Sequence, residues 1–184
     1  MGIINADGTG KTVFTTNGAG DGLYETVYSM SWGPDMNQII TTLQDSPWHK
    51  NVFRYTISDD TLTQLTFDSS PPHPTESAVN SSGQIVLSRR ASYDQLYDLY
   101  RTTNTPGAPL ANLTNRSIPE GCFQPEWMDN DQRVLFSYTP EGGTGLDNRS
   151  LGVIDADGTA FQLYTNPTGY VSFDPTWAVP EPGA

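Results

Sequence analysis

Residues able to do chemistry are few in this chain, and those present are grouped. Its 184 residues hold two histidines, one cysteine and nine Lys plus Arg. Trp48, His49 and Lys50 are consecutive, Arg89 and Arg90 are adjacent with Tyr93 close behind, and His73 lies between the two groups. Cations beside aromatic rings bind carboxylates through charge-assisted hydrogen bonds and bind flat ligand faces through their rings. The expected ligand-binding set is therefore Trp48, His49, Lys50, His73, Arg89, Arg90 and Tyr93, and the expected ligand an anionic or sugar-like one: an acidic polysaccharide, or the carboxylates of a protein partner. The plainer reading of the same side chains is structural, as surface pairs with Asp45, Asp94 or Glu120, which stabilise little.

No other chemistry has a complete set of residues. The chain has no Gly-x-Ser-x-Gly elbow, no His-Glu-x-x-His and no glycine-rich phosphate loop. Cys122 is the sole cysteine, which excludes an intramolecular disulfide and a cysteine-based zinc cage. As a nucleophile it would need a positioned base such as His49 or His73 and a third orienting group, so it reads as a small packing residue. Glu76 and Glu120 would serve a glycosidase or lyase only at a carboxylate separation that sequence spacing does not give. Asp155-Ala156-Asp157-Gly158 starts like a calcium loop but lacks the later ligands and the closing bidentate Glu, and a hairpin turn explains it better. No catalytic residue, metal ligand or cofactor is expected, with calcium at that turn the one ion partly matched.

These residues need elements to position them, and composition limits which. Seventeen Gly and 14 Pro, with 35% hydrophobic residues, argue against long helices. A formal charge of −12 repels phosphate backbones, which argues against nucleic acid as a partner. No apolar run is long enough to span a membrane. The chain does repeat. Trp32, Ala78, Trp127 and Trp177 mark steps of 46, 49 and 50 residues, and seven residues after each of the first three stand Ile39, Ile85 and Val134, opening apolar runs. Ile3-Ile4-Asn5-Ala6-Asp7-Gly8-Thr9 matches Val153-Ile154-Asp155-Ala156-Asp157-Gly158-Thr159, and Leu65-Thr66 and Leu113-Thr114 recur at one phase. Asp-Gly, Pro-Gly and Asp-Asp between alternating runs signal hairpins.

Each period thus reads as four short strands, A to D, with A ending at the Trp, B the following apolar run, C before the Asp-Gly type turn and D at the Leu-Thr. Four antiparallel strands per 46 to 50 residues is the spacing of a propeller blade. The expected fold is all-β, a β-propeller of about four four-stranded antiparallel blades. Three are complete, and one is split between the termini and lacks a B strand. A β-sandwich has no reason to repeat the same Trp and Leu-Thr. The repeat-phase Trp32, Trp127 and Trp177 are expected as core between blades. The propeller is expected to fill residues 1–178, with a proline-rich remnant at 179–184.

The pattern Asn-Ala-Asp-Gly-Thr-Gly, then Leu-Thr, then Ser-x-Trp-Gly-Pro-Asp and a β run resembles the WD40-like repeats of TolB-type β-propellers over nearly the whole chain. Ala78 in place of Trp, Asn80-Ser81-Ser82-Gly83 and Met128-Asp129-Asn130-Asp131 depart from that pattern. Val179-Pro180-Glu181-Pro182 is similar to the opening of a PEP-CTERM sorting signal. Together the resemblances imply a secreted or envelope protein of a Gram-negative bacterium.

In a meander of strands A to D, the A–B and C–D turns share one end of every blade, and the longer B–C and D–A connections share the other. Scaffolded loops are where binding concentrates. The long-loop end collects Lys50, Arg89, Arg90, Arg116 and Arg149, five of the nine basic residues, with both histidines and Cys122. The function expected from this is a non-enzymatic binding or scaffold propeller that meets its protein or polysaccharide partner on that face. The alternative is a lyase or hydrolase acting on polysaccharide or peptide with its cleft on the same face. Self-association through an open blade edge is a further expectation.

Overall fold

A computed structural model describes residues 2–13, 26–46, 49–68, 74–90, 96–115, 120–140, 149–164 and 175. They form fourteen strands in four antiparallel sheets, of two, four, four and four strands. Three sheets are the expected blades. Blade 1 holds β3 (Val27–Trp32), β4 (Gln38–Ser46), β5 (His49–Thr56) and β6 (Thr61–Gln64). Blade 2 holds β7 (Pro74–Val79), β8 (Gln84–Arg89), β9 (Asp98–Thr103) and β10 (Ala111–Asn112). Blade 3 holds β11 (Gly121–Met128), β12 (Arg133–Thr139), β13 (Ser150–Asp155) and β14 (Gln162–Tyr164). Each runs in chain order as a simple meander. β1 (Gly2–Ile3) and β2 (Thr12–Val13) pair as the outer C and D strands of the split blade. The chain is an all-β protein of β-propeller architecture. Residues 179–184 and Trp177 lie outside the described residues.

The blades stack through apolar side chains that alternate along each strand, as a two-residue period on a doubly buried sheet requires. Ile40, Val52 and Leu65 of blade 1 meet Ile85 and Leu87 of blade 2. Val86, Leu99 and Leu113 from the other side of blade 2 meet Cys122, Trp127, Val134, Phe136 and Ile154 of blade 3. Ile3 of the N-terminal hairpin packs on Ile39 and Tyr55 of blade 1. Cys122 is fully buried in the second of these interfaces, in the packing role expected of it.

Hydrogen bonds repeat with the sequence. In the Asp-Gly turns, Asn5 N and Asp155 N donate to the carbonyls of Thr9 and Thr159, and Gly8 and Gly158 take φ of +83° and +89°, which glycine reaches without a Cβ clash. The Oδ1 of Asp7 and of Asp157 each accepts from the backbone N–H and the hydroxyl of the Thr two residues on, and these bonds hold both carboxyls below their ordinary pKa. These carboxylates shape hairpin turns.

Three features differ from the sequence reading. The Leu-Thr pairs of blades 1 and 2 follow strand D rather than forming it. Leu65 N and Leu113 N donate to the carbonyls of Val52 and Leu99, and the hydroxyls of Thr66 and Thr114 then accept from Val52 N and Leu99 N, so a side chain replaces the next ladder bond. In blade 2 the A strand is displaced by one residue: Val79, not Ala78, stands opposite Ile85 as Trp32 stands opposite Ile39 and Trp127 opposite Val134. The A–B connection of that blade is one residue shorter, and Ala78 turns to blade 3, where its carbonyl accepts from Trp127 Nε1 at 3.3 Å. Trp32 is 45% exposed while Trp127 is 7% exposed, because blade 2 lies behind Trp127 and among the described residues only the short hairpin lies behind Trp32.

Candidate ligand-binding face

Each of the three described A strands carries a bulge, opposite Thr42–Leu43 in blade 1 and Leu87–Arg89 in blade 2 and slightly nearer the short turns, opposite Leu135–Ser137, in blade 3. The register slips between Val27 and Ser29, between Pro74 and Ser77, and between Phe123 and Glu126. A bulge leaves residues out of the ladder and re-aims their side chains. The residues released are Tyr28 in blade 1, Thr75 and Glu76 in blade 2, and Gln124 and Pro125 in blade 3, with Gln124 at a φ of +53°.

On the C strands, two strands over from the bulges, Val52, Leu99 and Leu151 are equivalent, each facing the residue at the leucine position beside strand D, and two residues earlier lie Lys50, Tyr97 and Arg149. Lys50 Nζ sits 3.6 Å over the Tyr28 ring. Arg149 Nη1 donates to Gln124 Oε1 at 3.1 Å, and its guanidinium lies 4.7 Å from the Phe123 ring centre. Phe123 packs tilted on Tyr97, with ring centres 5.1 Å apart, and the Arg90 guanidinium stands 5.7 Å from the Tyr97 ring. A belt of cations and rings thus lies along this end of the three blades, as the pair Lys50–Tyr28 and the run Arg90–Tyr97–Phe123–Arg149.

Glu76 is the acid within this belt. Its Oε2 accepts from the hydroxyls of Thr75 at 2.5 Å and Ser88 at 2.7 Å. Burial lowers the Lys50 pKa, Glu76 acts to raise it and Arg90 to lower it further, which places the three charges in one field. Burial raises the Tyr97 pKa, with Arg90 opposing and Glu76 adding to the rise. Both shifts describe a half-buried site where charge is poorly solvated.

Of the residues expected at the site, Lys50 and Arg90 come together in this belt, and His49 precedes Lys50 at the start of β5. Arg89 has another task. Its Nε and Nη2 donate to Asp68 Oδ2 and Oδ1 at 3.1 and 2.8 Å, clamping the segment after strand D of blade 1 onto the B strand of blade 2. Among the described residues Asp68 is thus a partner of Arg89; Asp94 and the side chain of Asp45 lie outside them. Trp48, His73 and Tyr93 lie outside the described residues. Sequence reasoning missed Tyr28, Glu76, Tyr97, Phe123 and Gln124. Aligning the repeats on Leu-Thr puts Lys50 and Arg149 in one column but Asp98, not Tyr97, beside them, because the C–D connection of blade 2 is one residue longer, and the bulges leave no mark in residue spacing. Among the described residues no three His, Cys, Asp or Glu side chains gather as a metal site, and no helix is long and apolar enough to cross a membrane.

With this geometry in place, known proteins can be compared. No protein-family model and no curated protein sequence matches the chain. Solved structures do. Putative TolB from Agrobacterium tumefaciens superposes with a TM-score of 0.63 at 13% identity, covering 79% of this chain and 50% of its own. TolB from Acinetobacter baumannii gives 0.63 at 20% identity, covering 88% of this chain and 36% of its own. Oligogalacturonate lyase from Vibrio parahaemolyticus gives 0.62 at 11% identity, over 89% and 47%. At such identities the likeness is one of fold, and it bears out the resemblance to TolB-type propellers at that level. The chain spans half or less of the length of these structures.

Proposed function

We propose that this chain is a binding module whose long-loop face recognises a carboxylate-bearing partner, an acidic polysaccharide or an acidic protein segment, outside the cytoplasm in the bacterial envelope. The observation that carries the reading is the belt of Lys50, Arg90 and Arg149 over Tyr28, Tyr97 and Phe123 at the long-loop end of the three blades. A protein of net charge −12 gathers half-buried cations there, an arrangement that a solvated surface does not require. The fold shared with TolB supports an envelope setting and a scaffold role.

Calorimetric titration with an oligogalacturonate, with polyglutamate and with a neutral dextran tests the reading. Binding of at least one polyanion that weakens steeply with salt, and none of dextran, is expected. Equal binding of dextran, or none of either polyanion, would contradict it. Release of an unsaturated uronate product during the titration would favour the lyase alternative.

A further inference from the structure

Glu76 stands among the cations of the long-loop end, yet among the described residues it forms no ion pair. The bulge between Pro74 and Ser77 sets it out of the ladder of blade 2, half-buried. Its Oε2 is fixed by the hydroxyls of Thr75 and Ser88, which lie 2.9 Å from each other. Its Oε1 accepts no hydrogen bond among the described residues. Ser88 pairs with Leu99, and continuing that register sets Arg90 opposite Tyr97 on the same side of the sheet, with the guanidinium 5.7 Å from the ring. The acid and the guanidinium are therefore one step apart. From blade 1, Lys50 Nζ lies over Tyr28 and donates no hydrogen bond among the described residues, and Glu76 and Arg90 both act on its charge.

A fixed acid in this place weakens the hold on a ligand that offers carboxylates alone, because it repels them. It strengthens the hold on one that brings a hydroxyl beside its carboxylate, because a hydroxyl donating to a carboxylate makes a charge-assisted bond. An ammonium donor would meet repulsion from Lys50 and Arg90. We infer, resting on the reading of this face as a carboxylate-binding site, that Glu76 selects the ligand: Oε1 accepts a sugar hydroxyl while Lys50 and Arg90 take the carboxylate of the same ring. The ligand is then a uronate-containing polysaccharide rather than an acidic protein segment. A uronate carries both groups on one ring, whereas the Asp and Glu side chains of a peptide carry carboxylates without hydroxyls.

Calorimetric titration of wild type, Glu76→Gln and Glu76→Ala with oligogalacturonate and with polyglutamate of equal carboxylate number tests the inference, with circular dichroism to confirm the fold. Wild type is expected to bind oligogalacturonate at least about tenfold more tightly than polyglutamate. Both substitutions should weaken oligogalacturonate binding and strengthen that of polyglutamate, removing the preference. In Glu76→Ala the Thr75 and Ser88 hydroxyls keep each other as partners, so the sheet should hold. A further titration needs no variant: fully O-acetylated oligogalacturonate keeps its carboxylates but not its hydroxyl donors, and its affinity for wild type should drop to that of polyglutamate. Equal affinity of wild type for oligogalacturonate and polyglutamate would overturn the inference and leave the binding reading standing. So would a preference that survives both substitutions, or undiminished affinity for the acetylated ligand. Binding of neither polyanion would overturn both.

Discussion

A single hydroxyl shows how far a side chain's behaviour here is set by its neighbours. Tyr55 is buried between the N-terminal hairpin and blade 1 and donates to Asp60 Oδ1 at 2.5 Å, with Asp60 held at a φ of +50° in the C–D turn. Burial first, then that bond and the Asp60 charge, push its pKa from 10.0 to about 12. The neutral phenol is thus favoured by folding. The stabilisation is complete below pH 10 and is lost as pH rises between about 10 and 12, because the unfolded chain ionises first. Melting temperatures taken across that range should fall more steeply for wild type than for Tyr55→Phe; parallel falls would dissociate Tyr55 from the alkaline transition. Arg89 illustrates the same dependence for a cation. Burial works against its charge and the Asp68 carboxylate more than offsets that, so its pKa is raised. Nothing in the sequence near Arg89 points to Asp68, which lies 21 residues earlier in another blade.

At the level of strands and turns, the repeat is held by bonds that single substitutions can remove. Thr66 donates to Asn51 Oδ1 at 3.0 Å while accepting from Val52 N, and Thr114 donates to Asp98 Oδ1 at 2.6 Å while accepting from Leu99 N. Thr66→Val and Thr114→Val leave buried partners unsatisfied and should each lower unfolding stability by about 1–3 kcal/mol in urea titrations. Thr66→Ser should retain most of it. Gly152 faces Phe136 across β12 and β13, and a Cβ there would lie 2.3 Å from the buried ring. Gly152→Ala should cost about 1–3 kcal/mol, from overpacking; a neutral result would show that the ring has room to move. Strand number and order within the three full blades were legible in the sequence because the Trp, Leu-Thr and Asp-Gly phases are local signals. The bulges and the one-residue shift at Val79 were not, since both arise from how β7 meets its neighbours on two sides.

At the scale of the whole molecule, the described residues make three full blades and a two-stranded hairpin of another, with cations doing different work at the two ends. Arg54 and Arg101 at the short-turn end donate to the carbonyls of Asn104 and Ala156 across blade boundaries, so those cations join blades. Lys50, Arg90 and Arg149 at the other end lie over rings and are the cations placed to receive a ligand. The sequence foretold which end would hold Lys50 and Arg90, from strand order alone. The rings beneath them were hidden because Tyr28, Tyr97 and Phe123 are aligned only once three blades stand side by side. Charge reversal at the two ends therefore separates recognition from general electrostatics. The affinity of Arg90→Glu and Lys11→Glu for the tightest-binding polyanion, at one ionic strength, is the most direct measurement, since Lys11 is exposed in the β1–β2 hairpin far from the belt. A loss of roughly tenfold or more for Arg90→Glu, with Lys11→Glu within about twofold of wild type, is predicted for a charge pair in a half-buried site. Equal losses from both substitutions would contradict recognition at this face.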